Sequence, residues 1–216
     1  TEIIKEEHPN KKIILLGHSM GSLLSREYVT LYGDDLEALI LSGTAAFMKG
    51  LGSFGLISTE FFSKLNGQHR SNEILKNLFF HQFNKYFKPN RTKVDWISSD
   101  EKQVDKFEKD PLRIEDFSLG VFRDILKGTK KVSQLEIFEI TPKNLPIYIF
   151  SGDKDPVGEM GKGVKKVAKN YKKVGVQDVT LKLYEGGRHE MLHEINRNEV
   201  EKDLLKWLNE HIEAKN

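Results

Sequence analysis

The segment Gly17-His18-Ser19-Met20-Gly21 is the first part of the chain whose residue types and spacing could carry chemistry. It follows the apolar run Ile13–Leu16 and precedes a stretch with apolar residues at helical intervals. This order predicts a sharp turn from a strand into a helix, with the hydroxyl of Ser19 exposed at the apex. We interpret both glycines as positions where the backbone comes too close for a side chain. Ser19 would then be placed for nucleophilic attack.

Two later segments supply the groups that such a serine needs. A serine hydroxyl is a weak nucleophile until a base removes its proton and a carboxylate orients that base. Asp155 follows an apolar run that ends at Phe150, and His189 follows an alternating run that ends at Tyr184. Because the active sites of open α/β sheets lie at the carboxyl ends of strands, we expect the three segments to meet there.

Two alternatives concern residues close to these positions. Asp153 lies two positions before Asp155 and is the rival carboxylate, but in a turn that leaves a strand it could instead cap the loop backbone. The segment from His189 to His193 matches the H-E-x-x-H pattern of zinc proteases. That pattern belongs inside a helix, whereas Gly186-Gly187 and the preceding strand predict a loop. We therefore favour Asp155 and expect neither a metal site nor a cofactor.

The composition limits the class of protein. The chain has 216 residues, a formal charge of +2 and no cysteine. The balanced charge gives no reason to expect a nucleic-acid partner. No apolar run approaches the ~20 residues of a membrane-spanning helix, so we expect no membrane span. The absence of cysteine fits a reducing compartment, and we expect a cytoplasmic protein. The composition does not predict an oligomeric state.

Apolar runs and helical spacing predict alternating strands and helices at both ends of the chain, which is typical of a parallel sheet with right-handed crossovers. The predicted strands are Ile13–Leu16, Leu36–Leu41, Ile147–Phe150 and Thr180–Tyr184. The first of them has the continuous apolar character of a strand covered on both faces. Residues Thr1–Glu7 are predicted to be the end of a helix, with Ile3 and Ile4 as its apolar face.

Residues 48–140 lack this alternation and predict a helical cap inserted between two sheet segments, 1–47 and 141–216. We expect a flexible loop at Gly50–Gly55 and helices after it, including one that starts at Asn72. The chain contains 13 phenylalanines, and all but Phe150 lie between Phe47 and Phe138. Such a cap could line an apolar pocket, or its phenylalanines could form its own core.

Together, the segments around Ser19, Asp155 and His189 and the position of the cap resemble the monoacylglycerol lipase/lysophospholipase-like branch of the α/β-hydrolase fold. The resemblance implies a mostly parallel sheet with helices on both faces and a helical cap insertion. It also implies that Ser19 is the nucleophile, that His189 is the general base and then the acid, and that Asp155 orients His189. The backbone N–H of Met20 would be one donor of the oxyanion hole.

The resemblance implies a serine hydrolase that cleaves carboxylic esters through an acyl-enzyme. Its partner would be a small-molecule acyl ester or a lipid, with a transient contact to a lipid surface. Three alternatives stay open: a serine aminopeptidase, a thioesterase, and a catalytically inactive binding module of the same fold.

The early strands of that fold have no counterpart in this sequence, nor does the His-Gly loop that supplies the second oxyanion donor. Four such strand units would take roughly 100 residues. We therefore expect an N-terminally incomplete hydrolase with an open apolar edge at the serine strand. A naturally truncated, inactive product is the alternative.

Overall fold

Four parallel strands form the sheet in the part of the protein that the structure describes. The computed structural model describes residues 1–67, 69, 82–113 and 117–212. The strands are β1 (Ile14–His18), β2 (Ala38–Ser42), β3 (Ile147–Gly152) and β4 (Val179–Tyr184). They lie side by side in the order β1-β2-β3-β4, and every pair is parallel. The predicted α/β architecture is confirmed.

Helices separate the strands and fill the long connection between β2 and β3. The α-helices are α1 (Glu2–Glu7), α2 (Met20–Tyr32), α3 (Lys49–Asn66), α4 (Glu101–Lys109), α5 (Leu119–Val132), α6 (Leu135–Ile140), α7 (Lys162–Lys173) and α8 (Arg197–Ile212). Shorter helical segments are Gln82–Asn84 and the 3-10 turns Gly33–Asp35, Lys85–Phe87, Asp95–Ile97 and Met191–His193.

Helices cover both faces of β2. Successive side chains of a strand point to opposite sides of the sheet, and those of β2 enter two different clusters. Leu39 and Leu41 of β2 pack in a cluster with residues of α2, α6 and α7. Ala38 and Ile40 pack in a second cluster with residues of α8. All residues of β2 and β3 are buried, as continuous apolar runs predict for the middle of a parallel sheet.

The first strand differs from its prediction. Among the described residues β1 pairs with β2 alone, so it is the edge of the sheet rather than a covered strand. Ile14 is 37% exposed and Leu16 is 42% exposed. The predicted helix α1 forms, but Ile3 and Ile4 are exposed instead of packed. The result is the open apolar edge that the sequence also predicted.

The loop predicted at Gly50–Gly55 is wrong, because α3 begins at Lys49 and runs through these glycines. Glycine costs up to about 1 kcal/mol per helical position relative to alanine, but tertiary packing overrides such preferences. Gly52 shows the packing: a Cβ there would lie 2.5 Å from the ring of Phe47. Helix α3 and the ring of Phe47 can approach each other because position 52 has no side chain.

Some phenylalanines of residues 48–140 pack within the helical region, and at least one packs on the sheet. Phe62 and Phe122 pack with Leu119 and Leu126 in a cluster of the helical region. Phe138 of α6 packs in the sheet core. The helix predicted from Asn72 lies largely outside the described residues. The division into 1–47, 48–140 and 141–216 stays a prediction.

The register brings the carboxyl ends of the strands to one edge of the sheet. His18 at the end of β1 pairs with Ser42 at the end of β2. Ser42 pairs with Phe150, and Gly152 at the end of β3 pairs with Tyr184 at the end of β4. The segments that follow β1, β3 and β4 carry Ser19, Asp155 and His189, so these segments leave the sheet at the same edge.

Candidate active site

Ser19 occupies a strained turn between β1 and α2. Its backbone angles are φ 51° and ψ −119°, in a region that costs a non-glycine residue of order 1–3 kcal/mol. Hydrogen bonds on both sides hold it there. The N–H of Ser19 donates to the carbonyl of Ser42 at 2.9 Å, and its own carbonyl accepts the N–H of Ser22 at 3.0 Å. The strand–turn–helix predicted from the sequence is the local structure.

The two glycines of this turn have different roles. A Cβ at Gly17 would lie 2.3 Å from the hydroxyl oxygen of Ser25 and 2.5 Å from the carbonyl oxygen of Gly21, so β1 and α2 could not approach as they do. A Cβ at Gly21 would meet no heavy atom of the described structure within 4 Å. The interpretation of Gly21 as a second close approach is therefore wrong, because its Cβ direction is open.

The acid loop (Asp153–Pro156) and the histidine loop (Glu185–Glu190) lie backbone against backbone. A Cβ at Gly152 would lie 1.9 Å from the carbonyl oxygen of Gly187. The same carbonyl accepts the N–H of Lys154 at 2.9 Å. The N–H of Gly186 donates to Oδ1 of Asp153 at 2.8 Å. Asp153 therefore binds the histidine loop at its backbone.

The structure brings Ser19, His189 and Asp155 into one line of hydrogen bonds. Nε2 of His189 lies 2.8 Å from Oγ of Ser19. Nδ1 of His189 lies 3.0 Å from Oδ2 of Asp155. Asp155 is fully buried, and its carboxylate also accepts the hydroxyl of Ser151 and the N–H of Val157, each at 2.9 Å. Of the two candidate carboxylates, Asp155 is the one that faces His189.

The charges of this arrangement favour an ionised carboxylate beside the imidazole. Burial raises the pKa of Asp155, but the charge and hydrogen bond of His189 and the donors Ser151 and Val157 outweigh it, so the pKa lies below its usual range. Burial lowers the pKa of His189, but the charge and hydrogen bond of Asp155, with the charge of Glu190, raise it above its usual value. The pair therefore stabilises a proton on His189.

The H-E-x-x-H segment does not form the helix that a zinc protease requires. His189 lies in the histidine loop, and Met191–His193 is a single 3-10 turn. Both ring nitrogens of His189 are directed at other partners, Ser19 and Asp155. Within the described residues no three His, Asp or Glu side chains are grouped to hold a metal ion.

Three residues near the site were not singled out from the sequence. The ring of Trp96 lies 5.2 Å from that of His189, and the ring of Phe83 lies 5.3 Å from that of Trp96. Gly43 has φ 56°, and a Cβ there would lie 2.9 Å from Cε1 of His189. A glycine directly after β2 is a signal for such an approach. No signal in the sequence distinguishes Trp96 from a core residue.

A parallel sheet with helices on both faces, a serine on a strained strand-to-helix turn, and an aspartate and a histidine after later strands define an α/β-hydrolase fold. The fold alone leaves many families open. The chain belongs to the serine aminopeptidase S33 family, whose model matches residues 1–196.

One named relative is similar in sequence, and two solved structures share the fold. The monoacylglycerol lipase of Mycolicibacterium smegmatis is 26% identical over 214 residues, which is 97% of this chain and 66% of the lipase. A thermostable carboxyl esterase from Bacillus coagulans, solved with glycerol, has a TM-score of 0.89 at 28% identity, over 98% of this chain and 68% of the esterase. The Saccharomyces cerevisiae monoglyceride lipase has a TM-score of 0.72 at 20% identity, over 97% of this chain and 65% of that lipase.

This chain thus spans about two thirds of the length of the lipase and the esterase that it matches. Over the ranges that the structure describes, none of the helices has both the length and the apolar character needed to cross a membrane.

Proposed function

We propose that the protein is a serine hydrolase that cleaves carboxylic esters of small acyl compounds, with monoacylglycerols as the substrate class. The observation that carries the proposal is the hydrogen-bonded line from Ser19 through His189 to the buried Asp155. The names of the relatives, a monoacylglycerol lipase and a carboxyl esterase, support an ester as the substrate.

The first half of the proposed reaction forms an acyl-enzyme. Oγ of Ser19 attacks the ester carbonyl carbon while Nε2 of His189 takes the hydroxyl proton. Asp155 accepts a hydrogen bond from Nδ1–H, which fixes the tautomer of His189 and stabilises the imidazolium that forms. The tetrahedral intermediate then expels the alcohol, which receives its proton from Nε2, and the acyl group stays on Ser19.

In the second half, water takes the place of Ser19 as the nucleophile and Ser19 becomes the leaving group. A water molecule attacks the acyl carbonyl carbon while Nε2 of His189 takes one of its protons. Collapse of the second intermediate breaks the bond between the acyl carbon and Oγ and releases the carboxylic acid. Oγ recovers its proton from Nε2 of His189. His189 returns to its starting state after each turnover.

The backbone N–H of Met20 is the proposed donor to the carbonyl oxygen as its negative charge develops. Met20 is the first residue of α2, directly after the nucleophile. The first N–H groups of a helix have no acceptor within the helix, and the helix dipole adds positive potential at this end. Removing one such donor typically costs 10²–10³ in kcat.

A panel of four substrates tests the proposal and distinguishes an esterase from an aminopeptidase, the activity in the name of the matched family. Purified protein is assayed with a monoacylglycerol, a short-chain ester, an acyl-CoA thioester and an amino-acid amide. We expect release of fatty acid from the monoacylglycerol, with at least 10³-fold loss in Ser19→Ala. Release of amine from the amide with no ester cleavage would replace the ester proposal with a peptidase.

A further inference from the structure

A second carboxylate, that of Glu190, lies close to the proposed triad. Its Oε1 lies 3.1 Å from Nε2 of His18, and its Oε2 lies 3.4 Å from Nδ1 of His193. The Glu190 side chain is 25% exposed. Its backbone N–H donates to the carbonyl of Ile97 at 2.7 Å, which fixes where the side chain starts. Glu190 is therefore anchored at its backbone and directed at His18.

His18 connects this carboxylate to the triad. Nδ1 of His18 lies 3.0 Å from the hydroxyl of Ser42, and its ring centroid lies 4.9 Å from that of His189. Both rings lie against position 43, which has no side chain: a Cβ there would lie 2.9 Å from His189 and 3.3 Å from His18. A second histidine–carboxylate pair thus lies beside His189 and Asp155.

Glu190 carries a negative charge at neutral pH. Burial raises its pKa, but the neighbouring His18, with His189 and His193, lowers it to about 2. Lys106 of α4 and Asp110, directly after that helix, line the same cavity of about 270 Å³ as Glu190 and His193. Lys106 and Asp110 have opposite charges, and His18 lies 3.1 Å from the Glu190 carboxylate.

We propose that Glu190 is a positioning residue of the reaction, a second carboxylate that acts through His18 to stabilise the protonated form of His189 during turnover. This inference rests on the proposed function, because His189 gains a proton during turnover only if it acts as the general base. A negative charge in a partly buried site stabilises a nearby positive charge more than it would in water. Asp155 holds His189 directly, and Glu190 adds a field from the side of His18.

Glu190→Gln tests the proposal because glutamine keeps the shape and removes the charge. His189 acts when neutral, and the charge of Glu190 raises its pKa, so removing that charge lowers the pKa. The limb along which kcat/KM rises with pH should move to lower pH by on the order of half a unit. At the plateau kcat should fall roughly threefold, the rate equivalent of half a pKa unit, while KM stays within about twofold.

Two variants serve as controls. Glu185→Gln removes the same charge from an exposed position of the same loop. It should not change the pH range over which kcat/KM rises. Glu190→Asp keeps the charge and should hold the limb close to its wild-type position while recovering part of kcat. In a His18→Asn background, Glu190→Gln should have a smaller further effect than in the wild type, because the two residues act as one unit.

A purely structural role would give a different result. Glu190→Gln would then lower the melting temperature or the folded fraction but would not move the rising part of the kcat/KM profile along the pH axis. Glu190→Asp would show the same loss of stability. That result overturns the inference. An NMR titration of the His189 ring, in the wild type and in Glu190→Gln, measures the same shift without turnover. If the wild type cleaves no ester but its His189 still titrates at higher pH than that of Glu190→Gln, the proposed function is contradicted. Glu190 would then still be a residue that tunes the pKa of His189.

Discussion

Glu194 and Ser99 lie 95 positions apart in the chain and are joined by two hydrogen bonds. The N–H of Ser99 donates to Oε1 of Glu194 at 2.9 Å, and the hydroxyl of Ser99 donates to Oε2. Oε1 also accepts the N–H of Arg188 at 2.8 Å. Glu194 is 1% exposed. A buried carboxylate thus ties the residue before His189 to the segment Asp95–Ser99, which lies in the predicted cap.

The Arg188 side chain strengthens this link. Its guanidinium donates to the carbonyls of Asp95 and Ser98, the second at 3.0 Å, and lies over the ring of Phe87 at 4.2 Å. The residue after His189 is bound to the same segment through the carbonyl of Ile97. Both chain neighbours of His189 are therefore held by the segment Asp95–Ser99.

Glu194→Ala should destabilise the protein by about 3 kcal/mol, because it removes a buried carboxylate and leaves the partly buried N–H groups of Ser99 and Arg188 without their acceptor. Urea unfolding followed by circular dichroism measures the change. Glu199→Ala, at an exposed position of α8, is the matched control and should stay within about 0.5 kcal/mol of the wild type. Equal unfolding midpoints for the two variants would contradict the structural role of Glu194.

Asp155→Asn should lower kcat by about 10⁴-fold, because an amide can no longer hold His189 in the tautomer that accepts the proton of Ser19. Asp153→Asn should lower kcat less than about tenfold, since Asp153 accepts a backbone N–H of the histidine loop and does not face His189. Steady-state kinetics on an ester separate the two. A severe loss in Asp153→Asn together with a mild one in Asp155→Asn would mean that the carboxylate is assigned to the wrong residue.

Gly17→Ala should destabilise the protein by roughly 2–4 kcal/mol, since the new Cβ would overlap Ser25 and the backbone of Gly21. Gly21→Ala should be neutral or stabilise by up to about 1 kcal/mol, because the position is helical and open. Thermal melts of the two variants test this contrast. A loss of stability in Gly21→Ala as large as in Gly17→Ala would show that the turn is tighter than described.

The segments that carry Ser19, Asp155 and His189 could be predicted because parallel strands end at one edge of a sheet. Apolar runs mark the strands, and the residues just after each run must then lie close together. The same reasoning does not by itself choose between Asp153 and Asp155, which lie two positions apart. The sequence favours Asp155 because a carboxylate at position 153, in the turn that leaves the strand, could cap the loop backbone, and in the structure Asp153 accepts the N–H of Gly186.

Other features depend on contacts between distant parts of the chain. Gly17 and Gly21 look alike in the sequence, and only the approach of Ser25 distinguishes them. The pattern of Gly50–Gly55 is typical of a loop, yet these residues continue the helix that packs on Phe47. Glu190 and Glu194 look like surface charges between a strand and a helix, and their roles follow from His18 and Ser99, which no local pattern connects to them.

Labelling with a fluorophosphonate probe, followed by peptide mapping, tests the central claim most directly. Such a probe reacts with a serine whose hydroxyl is activated by a neighbouring base. The account predicts a single phosphonylated residue, Ser19, whose labelling is lost in Ser19→Ala and at least 10³-fold slower in His189→Ala. Ester hydrolysis by a protein whose Ser19 stays unlabelled, or a label at another serine, would contradict it.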